Sequence, residues 1–321
     1  MSDIILNLLP LTSEETAAFR AAAPGVEQRF FQGMDFNGGS VPLSDPALAQ
    51  DATVVLGCPE TGVVATLSRL KWLQTWSAGV DAYLKPGVLP QGAMLTSAVG
   101  AYGPSVAEHM FAVLLTLLKK LHRYRDSQSA RTWDLSQGTV RSLNGATVLV
   151  VGAGDIGTHL AALCKAMGAH TVGLKRTVTP PPAGFDELHP IAELDHWLPQ
   201  ADVVALFLPQ SPETVHIMDA RRLDLMKDGA VLLNGGRGSA VDPDALLSAL
   251  RAGKLWGAGL DVTEPEPLPP DSPLWNEPDL LLTPHVAGGL HLEGTRERIV
   301  SIALENLKRY LAGEPLKNRM K

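Results

Sequence analysis

The run from Thr147 to Gly157, reading TVLVVGAGDIG, constrains the fold of this chain more than any other stretch. An apolar segment breaks into Gly152-x-Gly154-x-x-Gly157 and continues with Leu160, Leu163, Cys164 and Met167 at helical spacing. Strand, tight turn and helix follow one another without a linker. In that setting Gly152 permits the turn, Gly154 lets the backbone approach a pyrophosphate, and Gly157 lets helix and strand pack closely. The helix start, Asp155 and Ile156 with Gly157, offers unpaired N–H groups and a positive dipole end to phosphate. Gly168 stops the helix and a second strand is predicted over 170–174. A purely structural turn is the alternative, and the strand before and helix after favour the dinucleotide fingerprint.

The same alternation runs onward. Apolar strands are predicted at 147–151, 170–174, 202–208, 230–233, 257–260 and 280–282, with helices between them, which is the pattern of a doubly wound parallel sheet. Asp242 as N-cap, Pro243 in the first turn and Gly253 past the end mark one of these helices. The first hundred residues form a smaller α/β unit, with strands at 4–9, 26–31, 53–56 and 72–76 and a helix from Ser13 that Thr12-x-x-Glu15 can close with a capping box. A long helix starts at Gly103-Pro104 and is expected to turn Val106, Met110, Val113, Leu114, Leu117 and Leu121 inward. The last helix, over 293–311, is expected to return to the first unit. The resulting division is a discontinuous domain of residues 1–98 and 289–321 around a dinucleotide-binding domain of residues 99–288.

Composition removes several function classes. Of 321 residues 45% are apolar, enough for a large core, and the net charge of −7 comes without a basic tail or stripe. Neither nucleic acid nor an anionic membrane is therefore an expected partner. The apolar run 110–118 is too short to span a bilayer. Asp3, with no cation before Arg20, makes the N-terminus a first strand rather than a signal peptide. Cys58 and Cys164 form no framework and have no metal-ligand partner at useful spacing, so reduced core thiols, a cytoplasmic location and no metal are expected.

Two sets of residues carry chemistry. About 20 residues beyond the glycine turn, where an acidic side chain would accept from a ribose 2′-hydroxyl, this chain has Lys175-Arg176-Thr177. A carboxylate there would repel a 2′-phosphate, whereas Arg and Thr can bind one, so NADP is expected ahead of NAD. A solvated basic turn is the plainer reading. Arg237, Glu266 and His285 fall in loops on the ligand side of such a sheet. Arg237 can clamp a carboxylate and polarise a ketone, His285 can protonate the ketone oxygen, and Glu266 can orient the imidazole and favour its charged form. Each alone has an ordinary alternative as a loop or core residue. Their shared placement beside a dinucleotide site is what points to chemistry.

With SAGVD at 77–81, VAEH at 106–109 and the ordered Arg237, Glu266 and His285, the chain resembles the D-isomer-specific 2-hydroxyacid dehydrogenases over nearly its whole length. The spacings agree with that family, and they select Glu266 rather than Glu264. The resemblance implies an α/β fold of two Rossmann-like domains, with a doubly wound parallel sheet in the cofactor domain and a smaller discontinuous flavodoxin-like substrate domain. It implies a substrate site in the cleft between them, with backbone groups of Ala78, Gly79 and Val80 holding the carboxylate. Asp261 would lie near the nicotinamide amide, and Leu208, Pro209, Thr214, Gly235, Ala287 and Gly288 would line the cofactor. A homodimer through the long helix and the following loop is implied too, leaving Trp133 at an interface or in a core.

The basic turn resembles the NADP-using glyoxylate and hydroxypyruvate reductase branch. The chain ends at Lys321, so the C-terminal regulatory domain of long-form 3-phosphoglycerate dehydrogenases is not expected. The expected activity is reduction of a small 2-oxo acid to a D-2-hydroxy acid. A non-catalytic dinucleotide-sensing protein and a 3-phosphoglycerate-type enzyme are the competing readings; the latter needs cations near 77–81, where Lys85 is the nearby candidate. Trp76 either narrows the site or packs beneath the loop.

Overall fold

The computed structural model describes residues 3–31, 46–178, 180–289 and 293–321, and every element and count given is of those residues. The chain divides into two compact units, Met1–Tyr102 with Gly289–Lys321, and Gly103–Gly288.

The first unit opens with β1 (Ile4–Asn7), α1 (Ser13–Ala22), β2 (Glu27–Phe30), α2 (Pro46–Ala49), β3 (Val54–Leu56), α3 (Thr61–Thr66), β4 (Trp72–Gln74) and β5 (Met94–Thr96). Its five strands are parallel in the order β2-β1-β3-β4-β5, the flavodoxin-like order. Helix α1 starts where the sequence places it, because Thr12 Oγ1 accepts from the Glu15 N–H at 3.2 Å while Glu15 Oε2 accepts from the Thr12 N–H at 2.8 Å. The three-residue strand β5 was not anticipated, being too short to show a period.

The second unit contains α4 (Gly103–Lys119), α5 (Leu121–Ser129), β6 (Thr147–Val151), α6 (Asp155–Ala166), β7 (His170–Lys175), β8 (Glu187–Pro190), α7 (Leu194–Trp197), β9 (Val203–Leu206), α8 (Ala220–Leu225), β10 (Ala230–Asn234), α9 (Pro243–Arg251), β11 (Leu255–Leu260) and β12 (Leu280–Leu282). Seven parallel strands run in the order β12-β11-β10-β9-β6-β7-β8. The strand order reverses between β6 and β9, the point at which a doubly wound sheet opens a crevice beyond its carboxyl edge. The chain then returns to the first unit with α10 (Glu293–Ala312), whose Ile299, Val300 and Leu307 join Ile5, Leu56, Trp72 and Leu95 in that unit's core. Arg296 Nη1 ties α10 to α1 through Glu15 Oε2 at 2.7 Å.

Two further details depart from expectation. Val106, Met110, Leu114 and Leu117 are buried along α4, but Leu121 is 52% exposed. Lys120 adopts a left-handed conformation, φ 54°, so the helix ends at Lys119 and a new one begins out of phase. The 3.6-residue period therefore cannot be carried across Lys120. The second departure is β8, a polar strand at the sheet edge where Glu187 accepts from both His170 and His189. Charged side chains on an edge strand discourage pairing with another chain, and they also erase the apolar signature of a strand.

Asp186 fastens this edge. Its carboxylate meets Lys165 Nζ at 2.6 Å and accepts from the Thr171 N–H at 2.9 Å. Lys165 first, then the Thr171 amide, hold its pKa down to about 2 from the ordinary 3.8. A carboxyl depressed on folding stabilises the fold above its unfolded value, and that contribution is lost as pH falls through the folded value. Asp186→Asn is thus expected to lower the urea midpoint at pH 7 by the equivalent of less than about 1 kcal/mol, as for a surface pair. The gap from wild type should close as pH falls from about 4 towards 2. A gap that is constant over that range would remove the linkage.

Candidate active site

Because all seven strands are parallel, the loops after β7, β6, β9, β10, β11 and β12 emerge along one edge of the sheet. They carry Lys175–Thr177, Gly152–Gly157, Leu208–Thr214, Gly235–Arg237, Asp261–Glu266 and Thr283–Gly288 respectively.

The glycine turn divides its labour. A side chain at Gly152 would lie 2.5 Å from the Phe207 carbonyl oxygen, and one at Gly157 would lie 2.6 Å from the Gly152 carbonyl oxygen. Those two positions are closed by the protein itself. A Cβ at Gly154 would meet nothing within 4 Å, although Gly154 caps the start of the twelve-residue helix α6. This open cradle over helical N–H groups fits a pyrophosphate. The Asp155 carboxylate turns aside towards His159, 3.5 Å away, so Asp155 offers the cradle its backbone.

Past β9, Leu208 is buried, and Thr214 Oγ1 accepts from the Ser211 N–H and donates to the Pro209 carbonyl, both at 2.8 Å, which closes the 209–214 turn on itself. Arg176 and Thr177 are exposed. Glu213 is held below the ordinary carboxyl range by the Ser211 hydroxyl first, its own backbone N–H next, and the nearby Arg176 charge. Arg176 is therefore within electrostatic reach of Glu213 in the 209–214 segment.

On the other side of the strand-order reversal the structure joins Glu266 and His285. His285 Nδ1 donates to Glu266 Oε1 at 2.6 Å, which leaves Nε2 as the ring nitrogen that can meet a reactant. Glu264, two residues before, takes a different partner, His216 Nε2, at 2.7 Å. Arg237 is half-buried, and its Nη1 donates to the Gly236 carbonyl at 2.9 Å. The loop that carries it is braced by buried Asn234, whose Nδ2 donates to the Arg237 carbonyl at 2.8 Å and whose Oδ1 accepts from the Gly236 N–H at 3.1 Å. Gly238 brings that loop against the Glu266 loop so closely that a Cβ there would overlap the Thr263 carbonyl.

Asp261 is 3% exposed and fully engaged. Oδ1 accepts from Thr283 Oγ1 at 2.6 Å and from the Val286 N–H at 3.0 Å, and Oδ2 accepts from the Ala287 N–H at 3.1 Å. The Asp261 carbonyl accepts from the His285 N–H at 2.8 Å. These bonds hold His285 at φ 54°, a left-handed conformation that costs a non-glycine residue on the order of 1 kcal/mol.

Sequence reasoning missed Asn234, Thr283 and His216 as shapers of this edge. Asn234 ends β10 three residues before Arg237 and Thr283 stands two residues before His285, which was the available clue; nothing local marks His216.

In the first unit, Ala78, Gly79 and Val80 lie in the loop after β4. Thr75 Oγ1 donates to the Ser77 carbonyl at 2.9 Å and Ser77 Oγ to the Gly79 carbonyl at 2.7 Å. Trp76 is 4% exposed and packs beside Gly57, just past the end of β3. Trp133, by contrast, is 92% exposed and belongs to no core of this chain. Among the described residues no helix is long and apolar enough to cross a membrane.

Comparison with known proteins agrees with this architecture. The model of the D-isomer specific 2-hydroxyacid dehydrogenase NAD-binding domain matches residues 111–287. A D-isomer specific 2-hydroxyacid dehydrogenase family protein from Aeromonas salmonicida subsp. salmonicida superposes with a TM-score of 0.85 at 33% identity, covering 100% of this chain and 99% of that one. An NADPH-dependent glyoxylate/hydroxypyruvate reductase from Sinorhizobium meliloti, solved with NADP and sulfate, gives a TM-score of 0.80 at 26% identity, covering 100% and 98%. A D-3-phosphoglycerate dehydrogenase from Mycobacterium leprae is 32% identical over 308 residues, 95% of this chain but 57% of that protein, so this chain spans little more than half of that relative.

The abutting loops generate a prediction. Gly238→Ala should lower stability by about 1–3 kcal/mol, as overpacking does, read as a shift of the urea midpoint at constant slope. A midpoint equal to that of wild type would show that the Arg237 and Glu266 loops do not press on each other.

Proposed function

From the premise that this chain belongs to the D-isomer-specific 2-hydroxyacid dehydrogenase family, we propose that it reduces a small 2-oxo acid of the glyoxylate or hydroxypyruvate kind to the D-2-hydroxy acid, with NADPH preferred and NADH possible. The Glu266–His285 pair at 2.6 Å carries this reading, because it presents an oriented acid at the sheet edge.

The cofactor would lie over Gly152, Gly154 and Gly157, with Leu208, Pro209, Thr214, Gly235, Asp261, Ala287 and Gly288 along it. Bound there, the cofactor would supply the hydride that the substrate's carbonyl carbon receives. Arg237 pairs with the substrate's carboxylate and draws electron density towards the carbonyl oxygen. His285 Nε2 gives its proton to that oxygen as charge develops there, and Glu266 keeps the ring oriented through Nδ1. In the reverse direction the neutral ring takes the proton back. Backbone N–H groups of Ala78, Gly79 and Val80 are proposed to share the carboxylate. A homodimer is proposed through the exposed apolar surface of Leu121, Tyr124, Trp133 and Leu135. The location proposed is the cytoplasm.

Replacing His285 by Ala should cost roughly two to four orders of magnitude in kcat on the best of a panel of 2-oxo acids, with NADPH affinity retained. The panel should include a phosphorylated acid, given the relative named D-3-phosphoglycerate dehydrogenase. Near wild-type turnover by this variant would sink the assignment. A wild-type protein that binds NADPH and turns over no acid would favour the sensing alternative.

Cofactor choice gives a second test. Arg176 and Thr177 are proposed to bind the 2′-phosphate, with Lys175 adding an exposed charge. A charge-assisted bond of about 1.5–3 kcal/mol corresponds to roughly tenfold to hundredfold preference for NADPH. Arg176→Asp should reverse that preference, mainly through KM for cofactor, since Arg176 follows β7 and His285 follows β12. Five strand spacings, about 24 Å, separate those strands. Equal use of NADH and NADPH by the wild-type protein would refute the reading of this turn.

A further inference from the structure

The VAEH segment that opens α4 has no part in the chemistry just described, yet its histidine reaches the loop that carries His285. His109 Nε2 lies 3.0 Å from Thr283 Oγ1, and Thr283 Oγ1 lies 2.6 Å from Asp261 Oδ1. A hydroxyl has one proton, and the carboxylate can only accept, so Thr283 donates to Asp261 and His109 Nε2–H must donate to Thr283. This fixes the proton on Nε2 of His109. One turn earlier, Ser105 Oγ donates to the Ala287 carbonyl at 2.8 Å. The opening turns of α4 thereby grip the 283–287 segment at both ends, while Asp261 grips its middle through the Val286 and Ala287 amides.

We infer that His109 is a positioning residue, and that His109, Thr283 and Asp261 form one relay that sets the place of the His285 ring. Without the His109 donor, the Thr283 oxygen loses one of the two contacts that fix its rotamer, and its bond to Asp261 is held less firmly. The left-handed backbone at His285 is then held by fewer contacts, and a ring that must meet a carbonyl oxygen within hydrogen-bond reach wanders. His109 itself touches no reacting atom in this scheme. The consequence for turnover rests on the proposal that His285 is the proton donor; the consequence for the segment does not.

The test separates the two. Amide hydrogen exchange is measured on the full chain without ligand for wild type, His109→Leu, His109→Gln, Thr283→Val and Thr283→Ser. Gln keeps an N–H donor near the Nε2 position and Ser keeps the hydroxyl. In the Leu and Val variants the Val286 and Ala287 amides should exchange about tenfold faster, while amides in β9 and β10 keep wild-type protection. The Gln and Ser variants should stay near wild type. The His109→Leu/Thr283→Val double variant should be no worse than either single variant, as expected of members of one network. In parallel, kcat on the best 2-oxo acid should fall about tenfold in the Leu and Val variants, with NADPH affinity unchanged, and recover in the Gln and Ser variants. Wild-type protection at Val286 and Ala287 in His109→Leu would overturn the relay, as would loss of protection spread through β9 and β10. Faster local exchange with unchanged kcat would overturn the positioning role. If the exchange pattern appears but wild type reduces no 2-oxo acid, the relay stands and the proposed reaction falls.

Discussion

The parallel sheet of the second unit is the constraint on which everything else rests. Parallel pairing from β12 to β8 places every carboxyl end on one edge, and the reversal between β6 and β9 parts the helices there. Six loops from distant parts of the sequence become neighbours without any of them needing to be long. A dinucleotide is itself extended, so a row of strand ends is a natural complement to it. The glycine turn succeeds for the same reason. Gly152 and Gly157 are closed by the backbone and Val150, which lets α6 sit directly on β6, and Gly154 is left open where a ligand must approach.

A sheet edge gives position to strand ends but not to side chains beyond them. That second step is done by buried polar groups. Asn234 folds the Gly235–Arg237 loop back on the end of β10, and Asp261 gathers Thr283, Val286 and Ala287 at the end of β11. Burying a carboxylate is unfavourable unless its lone pairs are met, and here three separate donors meet them. Removing one such donor leaves an unsatisfied buried group, so these contacts resist loosening more than a surface ion pair does. The Glu264–His216 pair works differently. Both side chains are exposed, and it adds a fastening between the loop after β9 and the loop after β11.

What the sequence made legible follows range of interaction. The capping box at Thr12, the glycine turn, the N-cap at Asp242 and the strands of β6, β7 and β10 are set by residues a few positions apart, and these match the structure. Leu121 was misplaced because one left-handed residue, Lys120, resets helical phase. β8 was missed because its Glu and His side chains serve the edge and not a core, and β5 because three residues cannot show alternation. At the site, the spacing from Glu266 to His285 was readable, and the two meet at 2.6 Å. The braces were not. Asn234 braces its own loop through local backbone bonds that no spacing in the sequence announces, Thr283 meets Asp261 only once β11 and β12 are paired, and His109 reaches Thr283 across 174 positions of sequence.

The layout also separates two tasks that a dinucleotide enzyme must combine. The turn proposed to read the adenosine end follows β7, whereas His285, proposed as the acid, its partner Glu266 and Arg237 follow β12, β11 and β10. About 24 Å of sheet, counted as five strand spacings, lies between the outermost of these strands. At that distance a charge on an exposed turn is screened, since the Debye length at physiological salt is about 8 Å. If the basic turn reads the cofactor as proposed, it can change that preference without moving the charge balance around His285. What must stay coupled is local to the other end. His285, Glu266, Arg237 and their braces share adjacent loops, so a change in any one of Asp261, Asn234 or Gly238 reaches these side chains through short, directed contacts. Under the proposed roles, specificity for the cofactor is the adjustable part of this architecture, and the geometry around His285 is the part that tolerates little change.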